Sequence, residues 1–263
     1  MARDGALDTP DTLKAPNAWL MMLEGRAPWE FAAMLAGSPL LNRALDKLPR
    51  GDGHPVLVFP GLSAADFTTV PLRNFLRDRG YVPYGWEQGF NFGPRDGVLQ
   101  GCLDRFDAVH RQHGKPLSLI GWSLGGVYAR ELAKERADQV RCVVTLGTPF
   151  AGHPRATNAW RLYELVSGHS AHDPELLAQV REAPPVPTTS IYSRTDGVVA
   201  WQCSLNDEGP RTENIEVHAS HMGMGMNPLV LYAIADRLAQ DPARWRRFDA
   251  GGARRWFFKT GAA

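Results

Sequence analysis

The chain of 263 residues predicts an α/β fold, with a mostly parallel central sheet covered by helices on both faces. Two observations carry the prediction. Short, continuous apolar runs at Val56–Phe59, Leu117–Ile120 and Val140–Gly147 have the character of strands buried on both faces. Segments of helical spacing alternate with them, as repeated β-α-β units require. A third observation, the lack of any low-complexity linker, favours one domain with a substantial core.

In chain order, residues 1–50 read as an N-terminal helical extension. Trp19, Leu20, Met21, Met22, Leu23, Trp29, Phe31, Met34 and Leu35 recur at spacings of three and four, interrupted near Pro28. This stretch is expected to pack on the body as an extra layer, to cap the site, or to lie on a membrane surface. The domain proper is expected over 51–263. Its first strand ends at Pro60-Gly61, and a helix over Pro71–Arg79 stops at Gly80. Tyr81–Trp86 reads as a strand that Pro83 demotes to a sheet edge or a bulge. Val98, Cys102, Phe106 and Val109 mark the next helix.

Between about 151 and 186 the alternation breaks into an inserted cap or lid segment. It holds a candidate helix with Asp173 as N-cap and Pro174 in the first turn. Strand character returns at Thr188–Tyr192 and Asn214–Val217, and a closing helix runs from about Pro228 to Gln240.

The chemistry centres on Gly121-Trp122-Ser123-Leu124-Gly125, which directly follows a strand and opens a helix. That context turns a short Gly-x-Ser-x-Gly pattern into a nucleophile elbow, with Ser123 lifted to the carboxyl edge of the sheet. A serine hydroxyl needs an imidazole base held by a carboxylate. Later loops supply both, in the order Ser, acid, His. Asp196 follows the strand after the insertion, and His221 follows the next strand.

Asp207 and Asp173 are rival acids, but neither directly follows a strand. His218 is a rival base that the pattern places within the strand, its ring committed to one sheet face. The oxyanion hole is expected from the backbone N–H groups of Leu124 and Leu62, since Pro60 has none to give.

These segments resemble the α/β-hydrolase superfamily, and within it small bacterial lipases and esterases of the lipase class 2 type. The resemblance runs from about His54 to Ala239. It rests on Pro60-Gly61-Leu62, Gly121-Trp122-Ser123-Leu124-Gly125-Gly126, Thr145-Leu146-Gly147-Thr148-Pro149, Ser190 to Asp196, and Ser220-His221-Met222-Gly223. It implies an oxyanion loop, an elbow, a structural strand end, a triad acid and a triad base at those positions, and hydrolysis of acyl esters. Lipases of this type usually carry His before the oxyanion-loop glycine, where this chain has Pro60.

Phe67, Phe90, Phe92 and Trp122 lie on expected loop ends near the carboxyl edge and are the candidate acyl-binding residues. Such walls suit an uncharged small-molecule or lipid ester. A formal net charge of +1 gives no global field for nucleic acid, and none is expected as a partner. Three cysteines without metal-ligand spacing read as buried free thiols.

His153, His169 and His172 match no structural zinc pattern, so neither metal nor other cofactor is expected. No secretory leader is legible at the start, which favours a cytoplasmic enzyme. The tail Arg244-Trp245-Arg246-Arg247-Phe248 and Arg254 to Lys259 interleaves cations with aromatics. It suits packing on the body or peripheral contact with an anionic membrane. Acyl transfer through the same triad, or a non-catalytic binding protein on this fold, are the alternatives.

Overall fold

The sheet forms around four segments, Pro55–Phe59, Leu117–Trp122, Thr188–Tyr192 and Thr212–Glu216, that bury every residue, and the runs between strands supply one-sided helices to cover both faces. A computed structural model describes residues 13–36, 39–168 and 174–261. In chain order the elements are α1 (Ala18–Leu23), α2 (Ala27–Leu35), α3 (Pro39–Asp46), β1 (Pro55–Phe59), α4 (Val70–Asp78), β2 (Val82–Gly85), α5 (Val98–His113), β3 (Leu117–Trp122) and α6 (Leu124–Glu135). There follow β4 (Val140–Leu146), α7 (Trp160–Ser167), α8 (Pro174–Arg181), β5 (Thr188–Tyr192), β6 (Thr212–Glu216), α9 (Pro228–Leu238) and β7 (Lys259–Thr260).

The seven strands lie in the order β2-β1-β3-β4-β5-β6-β7. All neighbours are parallel except the last, where β7 runs antiparallel to β6. Pro83 does sit on the edge strand, where its missing N–H costs no ladder bond on the open side. Two apolar clusters fill the two faces. One packs α4 and α9 against the sheet through Leu72, Leu76, Val230 and Ile234; the other packs α5 and α6 through Phe106, Val109, Leu132 and Ala133.

At the start of the chain the apolar stretch divides at Glu24–Arg26, a 3₁₀ turn, and Pro28 falls in the first turn of α2, a position that needs no N–H. The segment 151–186 contributes α7 and α8. Asp173, the expected cap of α8, lies outside the described residues, as do His169 and His172. Arg130 on α6 ties this segment to the body. Its buried guanidinium donates to the carbonyls of Val180, Arg181 and Glu182 at the C-terminal end of α8 and stacks 3.8 Å from the Phe150 ring centre.

The C-terminal tail divides in two. Phe248 and Phe258 are buried against Tyr232, whereas Trp256 and Phe257 are exposed. The thiols of Cys102, Cys142 and Cys203 are free.

Candidate active site

The turn from β3 into α6 is possible only because side chains are missing around it. A Cβ on Gly121 would lie 2.2 Å from Gly126 Cα, and one on Gly125 would lie 2.4 Å from the Phe59 carbonyl oxygen. With those atoms absent, helix and strand close on each other and Ser123 takes φ 52°, ψ −126°. A left-handed serine is strained; here the Ser123 N–H bond to Leu146 O at 2.8 Å and the glycine contacts hold it.

Asp196 and His221 arrive from the loops after β5 and β6, two and three places across the sheet from β3. Three carboxyl-edge loops therefore converge. His221 Nε2 lies 3.0 Å from Ser123 Oγ, and His221 Nδ1 lies 2.7 Å from Asp196 Oδ2. The other Asp196 oxygen accepts from the amides of Val198 and Val199, both at 2.8 Å, so the carboxylate cannot turn away from the ring. Trp122 donates its indole N–H to the His221 carbonyl at 3.0 Å, which fixes the loop from beneath.

Burial of His221 alone would depress its basicity. The charge and hydrogen bond of Asp196, with the Glu24 charge added, outweigh that and hold the imidazole above its ordinary value.

Leu124 is the first residue of α6, so its N–H has no intrahelical acceptor and stands at the positive end of the helix. The loop carrying Leu62 is pressed on Ser123, with a Cβ on Gly61 lying 3.2 Å from Ser123 Cβ. Asn91, fully buried, splints that loop. Its amide donates to Pro60 O at 2.8 Å, and its backbone exchanges bonds with Ser63 and Ala64. Leu62 and Leu124 both line an apolar cavity of about 230 Å³ that opens beside Ser123. Val127 and Tyr128 wall it from α6, and Trp160, Tyr163, Leu177 and Val180 wall it from the insertion.

The expected acyl-binding aromatics lie elsewhere. None of Phe67, Phe90, Phe92 and Trp122 lines this cavity. Phe67 and Phe90 are 66% and 54% exposed and pack edge-on against each other, with Phe92 stacked behind. Gly93 brings its backbone against Ser167 and Tyr163 of α7, and so Pro94, not a phenylalanine, reaches the cavity. Trp122, still within β3, is buried under Gly225.

Of the rivals, Asp207 pairs with Arg181 on the surface and His218 is exposed, beyond the end of β6 at Glu216. His153 borders the cavity, where its Nδ1 accepts from the Arg155 N–H. Among the described residues, no group of three His, Cys, Asp or Glu side chains could hold a metal ion, and no helix is long and apolar enough to cross a membrane.

Residues 56–261 match the sequence model of the Alpha/beta hydrolase family. The chain belongs to that family. No curated protein matches it. Among solved structures, this α/β-hydrolase is similar in fold to Aspergillus fumigatus lipase B, at 17% identity and TM-score 0.56, over 73% of this chain and 55% of that one. It is similar also to a Paleococcus ferrophilus monoacylglycerol lipase, at 16% identity and TM-score 0.52, over 70% and 93%. Bacillus licheniformis lipase BlEst2 follows, at 12% identity and TM-score 0.56, over 73% and 94%. The α/β-hydrolase thus spans about half the length of the Aspergillus enzyme it resembles and most of the other two.

Proposed function

We propose that this α/β-hydrolase cleaves carboxylic esters of hydrophobic acyl groups through an acyl-enzyme on Ser123. One observation carries the reading. Ser123, His221 and Asp196 form a continuous relay at an elbow that opens onto an apolar cavity. In the forward step the Ser123 oxygen bonds to the ester carbonyl carbon while its proton passes to His221 Nε2. The carbonyl oxygen gains negative charge and accepts from the N–H groups of Leu124 and Leu62.

Collapse breaks the carbon–oxygen bond to the leaving alcohol, which takes the proton from His221. Water then repeats the sequence on the acyl-enzyme, giving its proton to His221 and releasing the acid and free Ser123. The raised basicity of His221 helps here, because the imidazole must hold a proton between these two halves.

Apolar walls around the nucleophile favour an alkyl acyl chain over a charged one. Titration with a fluorophosphonate, followed by a chain-length series of p-nitrophenyl esters, tests the proposal. Stoichiometric labelling of Ser123 and turnover that rises with acyl length support it. A chain that neither labels nor turns over any ester of the series refutes it.

A further inference from the structure

The helices that precede the matched hydrolase region are an odd layer, because α1 and α2 contain no buried residue, and Trp19, Met22 and Trp29 are exposed. Met34 of α2 packs partly buried against the core. The remaining hold is polar, and nearly all of those contacts go to two loops. Glu24 Oε1 accepts from the amides of Gly197 at 2.8 Å and His221 at 2.9 Å, and its Oε2 accepts from the Met222 amide at 2.9 Å. Glu30 takes the Ser220 amide at 2.8 Å and the Ser220 hydroxyl at 2.7 Å. Arg26, paired with Glu30, donates to the carbonyl and hydroxyl oxygens of Thr195 at 2.9 and 2.8 Å.

Thr195 and Gly197 flank Asp196; Ser220 and Met222 flank His221. The turn between α1 and α2, with Glu30 from the first turn of α2, therefore grips the residue on either side of both. The seat is shaped for it, since a Cβ on Gly197 would lie 2.3 Å from the Leu20 carbonyl oxygen.

We infer that Glu24, Arg26 and Glu30 are positioning residues, a clasp from outside the common hydrolase body that sets the acid and base loops in register with Ser123. Glu24 has the central place because a single carboxylate bridges both loops. It is also one of two carboxylates whose charge supports a proton on His221, the other being Asp196; Arg26 and Glu30 are the remaining charged groups of the clasp. The two effects separate by chemistry. Glutamine at position 24 keeps an oxygen for the Gly197 and His221 amides but has no charge, whereas alanine keeps neither.

The kinetic half of the test rests on the ester-hydrolase reading; the titration half does not. In the full chain, Glu24→Ala should lower kcat per fluorophosphonate-reactive site by about tenfold to a hundredfold, the scale of a misplaced catalytic group, with KM nearly unchanged. Glu24→Gln should recover most of that kcat. In both variants the His221 ring, followed by NMR, should titrate at lower pH than in the parent. The inference is overturned if Glu24→Gln leaves the His221 titration where it was, or if Glu24→Ala loses activity only in proportion to lost reactive sites. Should the parent chain neither label nor turn over ester, the hydrolase reading falls, and the His221 titration alone still decides whether Glu24 acts on that ring.

Discussion

Among the described residues, two relays of serine, histidine and aspartate stand at opposite ends of the same sheet. At the carboxyl edge are Ser123, His221 and Asp196. At the opposite end His54 Nε2 lies 2.9 Å from Ser118 Oγ, and His54 Nδ1 lies 2.5 Å from Asp52 Oδ1. Distances alone do not tell them apart. The serines do. Ser118 is the second residue of β3, fully buried, its backbone flanked by β1 and β4. Ser123 sits just past the same strand in a left-handed turn, beside a cavity and before the first amide of α6.

The histidines differ as much. Burial and then the nearby Arg141 charge drive His54 down to about 4, and its partner Asp52 is 58% exposed and also faces Arg141. His221 is held by a carboxylate only 2% exposed, with Glu24 behind it, and moves the other way. A relay becomes a base when its imidazole can keep a proton, and that depends on the surrounding charge more than on spacing.

The sharpest way to separate the two is to delete each serine. Ser123→Ala is expected to cost about five to six orders of magnitude in ester turnover, the scale seen when a triad nucleophile is removed. Ser118→Ala should leave turnover near that of the parent. Steady-state assays on both variants check this, and equal losses would erase the distinction. The acids give a smaller contrast. Asp196→Asn, which retains the shape but disfavours the productive tautomer, should lower kcat by about 10⁴, while Asp52→Asn should not.

Acid dependence sharpens the comparison further. In the proposed reaction only neutral His221 can accept the serine proton, and its folded value lies above the ordinary histidine value of about 6.5. Activity should therefore fall as pH drops through a midpoint above 6.5. A kcat/KM profile measured from pH 5 to 9 checks this, and a midpoint below 6.5 would mean that Asp196 and Glu24 do not support the ring.

Much of this was legible before any coordinates. Strands β1, β3 and β4 announce themselves because parallel, doubly covered strands need continuous apolar runs, and Gly121, Ser123 and Gly125 announce the elbow because the turn leaves no room for a Cβ on its glycines. The order of Ser123, Asp196 and His221 along the chain follows from one loop per strand. Less legible is which way a loop faces. Phe67 and Phe90 are apolar residues near the right edge, yet they stand exposed, with Phe92 half-buried and stacked on Phe90.

The clasp was invisible for a related reason. Glu24 and Arg26 register in the sequence only as charges that interrupt an apolar run; their targets, Gly197 and His221 for Glu24 and Thr195 for Arg26, become neighbours only once β5 and β6 pair. His218 lies differently from what its sequence pattern suggests. The pattern sets it inside the strand, but β6 ends at Glu216 and His218 points to solvent instead.

The smallest expected effect concerns stability rather than rate, and it tests the buried relay on its own. In the unfolded chain a histidine takes up a proton near pH 6.5, whereas folded His54 does so only near 4. Between those values the unfolded state binds the extra proton, so the contribution of His54 is complete above about pH 6.5 and declines as pH falls toward 4. The full loss amounts to roughly 3 kcal/mol, set by that difference in proton affinity. His221 works in the opposite sense, because its raised folded value adds stability below pH 6.5 that is lost as pH rises through it.

Replacing His54 by Gln removes the first term and leaves the second. Urea unfolding midpoints of the parent and of His54→Gln, compared from pH 7 down to 4.5, should therefore converge on the acid side. Curves that stay parallel across that range would mean that His54 carries its proton in the folded state after all, and that the two relays are closer in character than their surroundings imply.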